Sequence, residues 1–381
     1  MRYDYNLDIV DLENTFFKTP QRFDSDDKQH LSIGLGAVLY IPGTKENLCE
    51  TILKSQASTV VVCLEDAIDD SSLKMAHHNV MNALEQLKFR YVEREIPFIF
   101  IRGRNNGHFK YLAQILKDFK ELVTGFVLPK FEAATGEQNL VFFRQLQGSW
   151  DKVIYLMPIL ETGSVLYKDN RFDELLSLKH LFCDFKDQIL NIRIGATDMS
   201  GLYGIRRPMY MSVWDNALLQ SVLGDIINYF IRKESGFVVS GPVWEYYRSN
   251  HNEVPGRYSS PEIRGLVSEV ELDMFNGLLG KSVIHPSQIM PVLSRLIVSF
   301  ADYMDASTVI KSKGGVSAGY DTNRMNERNP HLFWAEKIIR RSKVYGVFQD
   351  GLSSDVFLDN MESNMSISSF NSKNIQMSNN P

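Results

Sequence analysis

Cysteine is scarce. The 381-residue sequence holds only Cys49, Cys63 and Cys183, far apart and without CxxC spacing. That excludes a disulfide-stapled scaffold and a zinc site on paired thiolates, and predicts reduced, buried thiols. No apolar run approaches the roughly 20 residues a membrane-spanning helix needs, so no membrane partner is expected. Neither sign of charge dominates: 41 Lys and Arg against 46 Asp and Glu leave a formal charge of −5. Without a broad basic surface, nucleic acid is not expected as a partner. The acidic opening MRYDYNLDIVDLEN lacks the basic start and apolar stretch of a secretory signal, which points to the cytoplasm. Phosphate-binding fingerprints are missing too. IGLGA at 33–37 stops short of GxGxxG, and no Walker loop occurs.

What is present is a regular alternation. The 44% hydrophobic content excludes wholesale disorder, and from about 37 to 300 short apolar or β-branched runs alternate with segments of helical period. Eight runs read as strands: 37–42, 59–66, 97–104, 125–130, 153–162, 191–198, 237–244 and 281–286. Amphipathic stretches such as 71–87 and 211–233 lie between them. The spacing averages about 35 residues per βα unit. Eight units of that size predict a (β/α)8 TIM barrel of α/β class, with strands apolar on both faces. A doubly wound open sheet is the runner-up.

The expected organisation is an N-terminal cap segment over 1–36 and the barrel over 37–304. A C-terminal loop and helix over 305–350 read as an appendage near the active face. A disordered Ser/Asn-rich tail is expected over 351–381, since eight Ser and six Asn fall in its last 29 residues.

The functional signal is positional. Barrel enzymes place their chemistry at the C-terminal ends of their strands, and here successive strands end in polar residues. Strand two ends in Glu65 and Asp66, strand three in Arg102 and Arg104, and strand four in Lys130. Strand five ends in Glu161 and Thr162, strand six in Thr197 and Asp198, and strand eight in His285. Each alone reads as a charged loop residue; the whole set on one rim reads as a site. Taken by residues only, Glu161 and Asp198 are either rim carboxylates paired with Arg102 and Lys130 or ligands of a hard cation.

The segments LYIPGT, CLEDAI, IRGRN, LPKFE, ILETG, RIGATDMSG and KSVIHPSQI follow one another in this sequence as they do in a known family. Over 37–303 the chain resembles the citrate lyase β-subunit-like proteins of the HpcH/HpaI aldolase and citrate lyase superfamily. The stretch GGVSAGYDTNRMNERNPHLFWAEKII resembles the divergent carbon–carbon bond lyases found beside bacterial tellurite-resistance and stress-response genes. The resemblance implies a Mg²⁺-dependent carbon–carbon bond lyase, with Mn²⁺ as an alternative ion, acting on a small carboxylic acid or its coenzyme A thioester. It implies Glu161 and Asp198 as metal ligands and Arg102 as the substrate-carboxylate arginine. Glu65 and Asp66 would support metal-bound waters or hold Arg102. Lys130 would lie near the substrate or form a structural ion pair, and His285 would act structurally or on a phosphate. Arg104, Thr162 and Thr197 would line the pocket. A homotrimer or hexamer is the implied assembly.

The sequence departs from the family in two places. RMNERNP stands where better-known relatives carry an aspartate, with Asn326, Glu327 or nearby Asp321 as replacements, and Lys45 stands for an arginine after PG. A pyruvate-type class II aldolase on the same site, or a non-catalytic binding or assembly subunit, are the alternative readings.

Overall fold

The structure is a computed structural model, and it describes residues 12–90, 96–248, 260–321 and 324–361. Seven parallel strands form one sheet: β1 (Ala37–Pro42), β2 (Thr59–Cys63), β3 (Phe98–Arg102), β4 (Val123–Leu128), β5 (Tyr155–Leu160), β6 (Arg193–Ile194) and β7 (Lys281–Val283). Their order is β6-β5-β4-β3-β2-β1-β7. The run predicted at 237–244 is no continuous strand, yet it closes the ring. Val239 bridges Ile192 on one side and Gly241 bridges Lys281 on the other. The eighth stave is therefore a short bridging segment, and the architecture is the expected barrel.

The strands form where the apolar runs are continuous. Val60, Val61 and Val62 in β2, like Phe98 to Ile101 in β3, are fully buried, as parallel strands covered on both faces require. A parallel register, with Pro42 opposite Cys63 and Cys63 opposite Arg102, keeps the C-terminal ends level. Residues that follow each strand thus emerge on one rim.

Three expectations change. The sixth run stops as a strand at Ile194, and ATDMSG becomes the helix Ala196–Gly201, so Thr197 and Asp198 sit on a first helical turn rather than a strand end. The C-terminal helix Arg328–Tyr345 packs away from the active face. Tyr345 Oη donates to the Ile33 carbonyl at 2.6 Å, which ties the helix to the segment entering β1 at the opposite end of the barrel. Order also continues past 351. Residues 354–361 are helical and bury Phe357, Leu358 and Met361, while Asp355 pairs with Arg295 at 2.6 Å. The apolar positions at that helix's spacing outweigh the polar composition around them. The remainder of the Ser/Asn-rich tail lies outside the described residues. Among the cysteines, Cys49 and Cys63 are buried, whereas Cys183 is exposed.

In the N-terminal segment, Phe23 stacks on Phe98 at the start of β3, and Phe16–Lys18 pairs with Val347–Phe348. No helix of the described residues is long and apolar enough to cross a membrane.

Candidate active site

The level rim converts sequence spacing into a cluster. Arg102 is the last residue of β3, Glu161 follows β5 directly, and Glu65, Lys130 and Asp198 lie in the first residues beyond β2, β4 and β6. Arg102, Glu161 and Asp198 border a cavity of about 370 Å³ whose wall also includes Asp66 and Arg193, while Glu65 and Lys130, expected at the site, lie beside it and outside that wall. A mouth of this kind at strand C-termini is where barrel enzymes carry their chemistry.

Glu161 is 3% exposed, and its Oε1 accepts the Lys130 backbone N–H at 2.8 Å. Lys130 reaches that position in the left-handed region, with φ of 49°. Burial, then the like charge of Asp198, pushes Glu161 up to about 8. No Lys, Arg or His among the described residues forms an ion pair with Glu161 or Asp198. A Cβ on Gly195 would fall 2.0 Å from Glu161 Oε2, so the glycine leaves the space the carboxylate occupies. Two carboxylates facing one cavity without a cationic partner fit a hard divalent cation, since Mg²⁺ is commonly held by one or two carboxylates and otherwise by water and substrate. Among the described residues no group of three or more His, Cys, Asp and Glu side chains could hold a metal ion.

The cations of the rim are engaged elsewhere. Arg102 Nη2 lies 2.7 Å from Glu65 Oε2 and 3.2 Å from Asp66 Oδ2. Lys130 Nζ donates to Asp66 Oδ1 at 3.0 Å and also to Glu65. Burial and Asp66 push Glu65 up; burial opposes ionisation of Asp66, but hydrogen bonds to Glu65 and Lys130 pull it down. The two acids and two bases form a balanced lattice beside the Glu161–Asp198 pair. Arg102 and Lys130 therefore form no direct ion pair with Glu161 or Asp198, although their charges still reach Glu161 and favour its ionised form.

The remaining candidates divide. Thr197 lines the cavity and donates from Oγ1 to Glu245 at 2.7 Å. Thr162 and Arg104, expected to line the pocket, lie outside its wall. Thr162 Oγ1 is 2.7 Å from Ser164 Oγ at the start of the next helix. Arg104 clamps the loop after β2, donating to the Leu64 carbonyl at 2.8 Å and pairing with Asp70. Arg104 has the carbonyls of a tight loop within reach, and they satisfy its fork before the cavity can. His285 Nδ1 accepts from the Ser287 N–H at 3.2 Å, and its ring stacks on Tyr247 with centroids 4.6 Å apart.

Sequence reasoning missed Arg193. It is 1% exposed in β6, belongs to the cavity wall, and donates from Nη2 to Ser282 Oγ at 2.6 Å. Its Nε and Nη1 have no hydrogen-bond partner among the described residues, and it forms no ion pair there. The Tyr40 ring stands between two guanidinium groups, 5.6 Å from Arg102 Cζ and 5.9 Å from Arg193 Cζ. The available signal was an arginine inside a strand otherwise read as buried on both faces. Arg207, in the loop beyond helix Ala196–Gly201, is held away from the cavity wall by its ion pair with the buried Glu269.

Comparison with known proteins agrees with this geometry. The family described as C-C bond lyase of the TIM-barrel fold matches residues 29–347. Among solved structures, a citrate lyase from Burkholderia xenovorans is similar with a TM-score of 0.60 at 13% identity, covering 81% of this chain and 92% of that one. The CitE protein from Mycobacterium tuberculosis, in complex with magnesium, acetoacetate and coenzyme A, is similar with a TM-score of 0.52 at 19% identity, covering 82% and 99%. A lead(II) complex of Haloferax volcanii malate synthase is similar with a TM-score of 0.51 at 13% identity, covering 68% and 72%. At these identities the likeness concerns the fold. A comparison with curated proteins finds no match.

Proposed function

The chain belongs to the C-C bond lyases of the TIM-barrel fold, and from that premise we propose that it is a Mg²⁺-dependent lyase. It cleaves a carbon–carbon bond next to a carbonyl, in the retro-aldol or retro-Claisen sense, in a small hydroxy-carboxylic acid or its acyl thioester. One observation carries the reading: Glu161 is buried at the wall of a cavity it shares with Asp198, the like charge of Asp198 opposes its ionisation, and among the described residues no cation pairs with it directly, the charges of Arg102 and Lys130 reaching it only at longer range.

Glu161 and Asp198 would hold the ion. When bound, it supplies electrostatic stabilisation where the negative charge of an enolate develops. The chain's own residues do the rest. The Lys130 amide fixes one oxygen of Glu161, and Gly195 leaves room for the other. The Glu65–Asp66–Arg102–Lys130 lattice holds the adjacent rim rigid, so that the pair is presented in one orientation. Arg193, charged and without a carboxylate partner at the cavity wall, favours an anionic substrate. The CitE protein bound to magnesium, acetoacetate and coenzyme A shares the fold, which makes a thioester substrate consistent with the cavity mouth.

Calorimetric titration of the full chain with Mg²⁺, together with NMR of pyruvate in D₂O, tests the reading. The expected result is Mg²⁺ binding and Mg²⁺-dependent deuterium exchange of the pyruvate methyl protons, both lost in Asp198→Asn. A chain that binds neither Mg²⁺ nor Mn²⁺, or an Asp198→Asn variant that binds as the parent does, would remove it.

A further inference from the structure

A second cavity, of about 530 Å³, lies at the other end of the barrel. Its wall includes Ile33 before β1, Gly236 to Val238 entering the bridging stave, and Leu279 before β7, all at the N-terminal ends of the staves. The catalytic cavity is built at the opposite, C-terminal ends. Chemistry in this fold sits at that C-terminal face, so the second cavity has no part in the cleavage reaction.

Five cationic residues line it: Arg232, Lys233, Lys337, Arg340 and Arg341. No Asp or Glu belongs to its wall. The arrangement follows from local structure. Arg232 and Lys233 occupy the turn that ends helix Ala217–Phe230, while Phe333, Lys337 and Arg341 recur at four-residue spacing along one face of helix Arg328–Tyr345. In a chain whose formal charge is −5, five like charges around one cavity repel one another, with Arg232, Lys233 and Lys337 exposed and Arg340 and Arg341 half-buried. Lys337 shows it: partial loss of hydration, and then the charge of Arg340, pull its ammonium below the ordinary value. The Nε of Arg341 is buried and has no hydrogen-bond partner among the described residues. Asp302, outside the wall, is the carboxylate whose charge reaches Arg341.

The rest of the wall is apolar, and Phe237, Phe275, Phe333 and Trp334 give it aromatic surface. Lys233 and Lys337 lie 5.8 and 5.1 Å from the centroid of Phe333, so one ring steadies two ammonium groups. Trp334 and Phe237 add further ring surface. The volume is in the range of sites that enclose a small organic ligand. Clustered guanidinium and ammonium donors suit phosphate oxygens, and aromatic walls suit a planar ring.

We propose that this cavity, formed by the turn at Arg232 and Lys233 and by the face of the C-terminal helix bearing Phe333, Lys337 and Arg341, binds a small organic phosphate carrying a planar ring, of the nucleotide class. The ligand neutralises the charge cluster and is held apart from the catalytic cavity. The inference does not depend on the lyase reading, because it rests on binding alone.

Titration of the full chain with ADP, inorganic pyrophosphate and adenosine, read by calorimetry and by Trp334 fluorescence, tests it. ADP should bind and weaken as salt rises. Pyrophosphate should bind more weakly and adenosine more weakly still. The double substitution Lys337→Ala, Arg340→Ala should lower ADP affinity at least tenfold, and the more peripheral Lys233→Ala should lower it measurably. Mg²⁺ titration at the catalytic cavity should be unchanged in both. Trp334→Phe should abolish the fluorescence response while ADP heat remains. Absence of ADP binding overturns the proposal, as does binding that survives these substitutions or disappears in Asp198→Asn. Self-association of the chain that these substitutions abolish, without ADP binding, would make the surface an interface between copies and equally overturn it.

Discussion

Gly195 and Glu161 occupy complementary space: a Cβ on the former would sit 2.0 Å from Oε2 and 2.5 Å from Cβ of the latter. The glycine has an ordinary backbone, with φ of −99°, so the requirement is room rather than conformational freedom. Gly195→Ala must therefore displace the carboxylate or the start of helix Ala196–Gly201. Overpacking of this kind costs about 1–3 kcal/mol. We expect a lower melting temperature and Mg²⁺ affinity reduced as in Glu161→Gln, measured by calorimetry. Unchanged Mg²⁺ binding in Gly195→Ala would show that Glu161 is not held by this contact.

Lys281, fully buried at the start of β7, donates to Glu269 at 2.9 Å and to Asp273 at 2.6 Å. Asp273 also accepts the Trp214 indole N–H at 2.9 Å, and Glu269 accepts the Val213 amide at 2.9 Å. The network links β7 to helix Pro261–Phe275 where the ring closes. Lys281→Met leaves the buried Asp273 without its cation, while Glu269 keeps Arg207, and breaking a buried pair in this way costs about 3–5 kcal/mol. Urea unfolding should show that loss, whereas Lys281→Met, Asp273→Asn, which leaves the Arg207–Glu269 pair intact, should recover part of it.

The barrel was legible because its signal is collective. Runs such as Val60 to Val62 and Phe98 to Ile101 are apolar throughout, and their even spacing admits few architectures. The rim was legible for the same reason, since parallel strands in register deliver Arg102, Glu161 and the residues after Cys63 to one edge. Direction within the rim was not. Arg104 and Arg102 stand two apart, yet the carbonyl of Leu64 and the carboxylate of Asp70 capture Arg104 while Arg102 faces the cavity. Nothing local in GATD distinguishes a strand end from a helix start. At the switch, Gly195 lies against Glu161, a contact between distant segments that only the fold reveals. Arg193 was hidden by the opposite problem, because a charged residue within a buried strand can be read only once its partners are known. The Ser/Asn-rich composition likewise concealed Phe357, Leu358 and Met361, whose burial orders residues 354–361.

Arg193→Met separates substrate recognition from metal binding. The substitution removes a buried charge that has no carboxylate partner among the described residues, so stability should hold or rise. Mg²⁺ binding should be unchanged, because Arg193 is not among the proposed ligands. Affinity for a small carboxylate should fall by about 2–5 kcal/mol, the usual effect of removing one member of a buried charge pair. Calorimetry with oxaloacetate in the presence of Mg²⁺ measures it. Equal oxaloacetate affinity in parent and variant would move recognition to Arg102.

The raised pKa of Glu161 yields a prediction with a definite sign. Its ordinary value is near 4.5, and burial with Asp198 nearby pushes it up to about 8 in the folded chain without a cation. Between those values the folded protein holds a proton that the unfolded chain has released, so stability falls as pH rises from about 4.5 to 8. The stabilising contribution is complete below the lower value and gone above the upper one. A divalent cation at Glu161 and Asp198 cancels the slope, because it binds the ionised form and displaces the proton. Mg²⁺ affinity should then rise with pH up to about 8, by roughly tenfold per unit, as release of one proton requires. Thermal unfolding from pH 5 to 9 with and without Mg²⁺, and titration in buffers of different ionisation enthalpy, measure both effects. Glu161→Gln should flatten the pH dependence without Mg²⁺ and abolish proton release. If that variant kept the parent's pH profile, the titrating group would lie elsewhere and the cation would have to be held without Glu161.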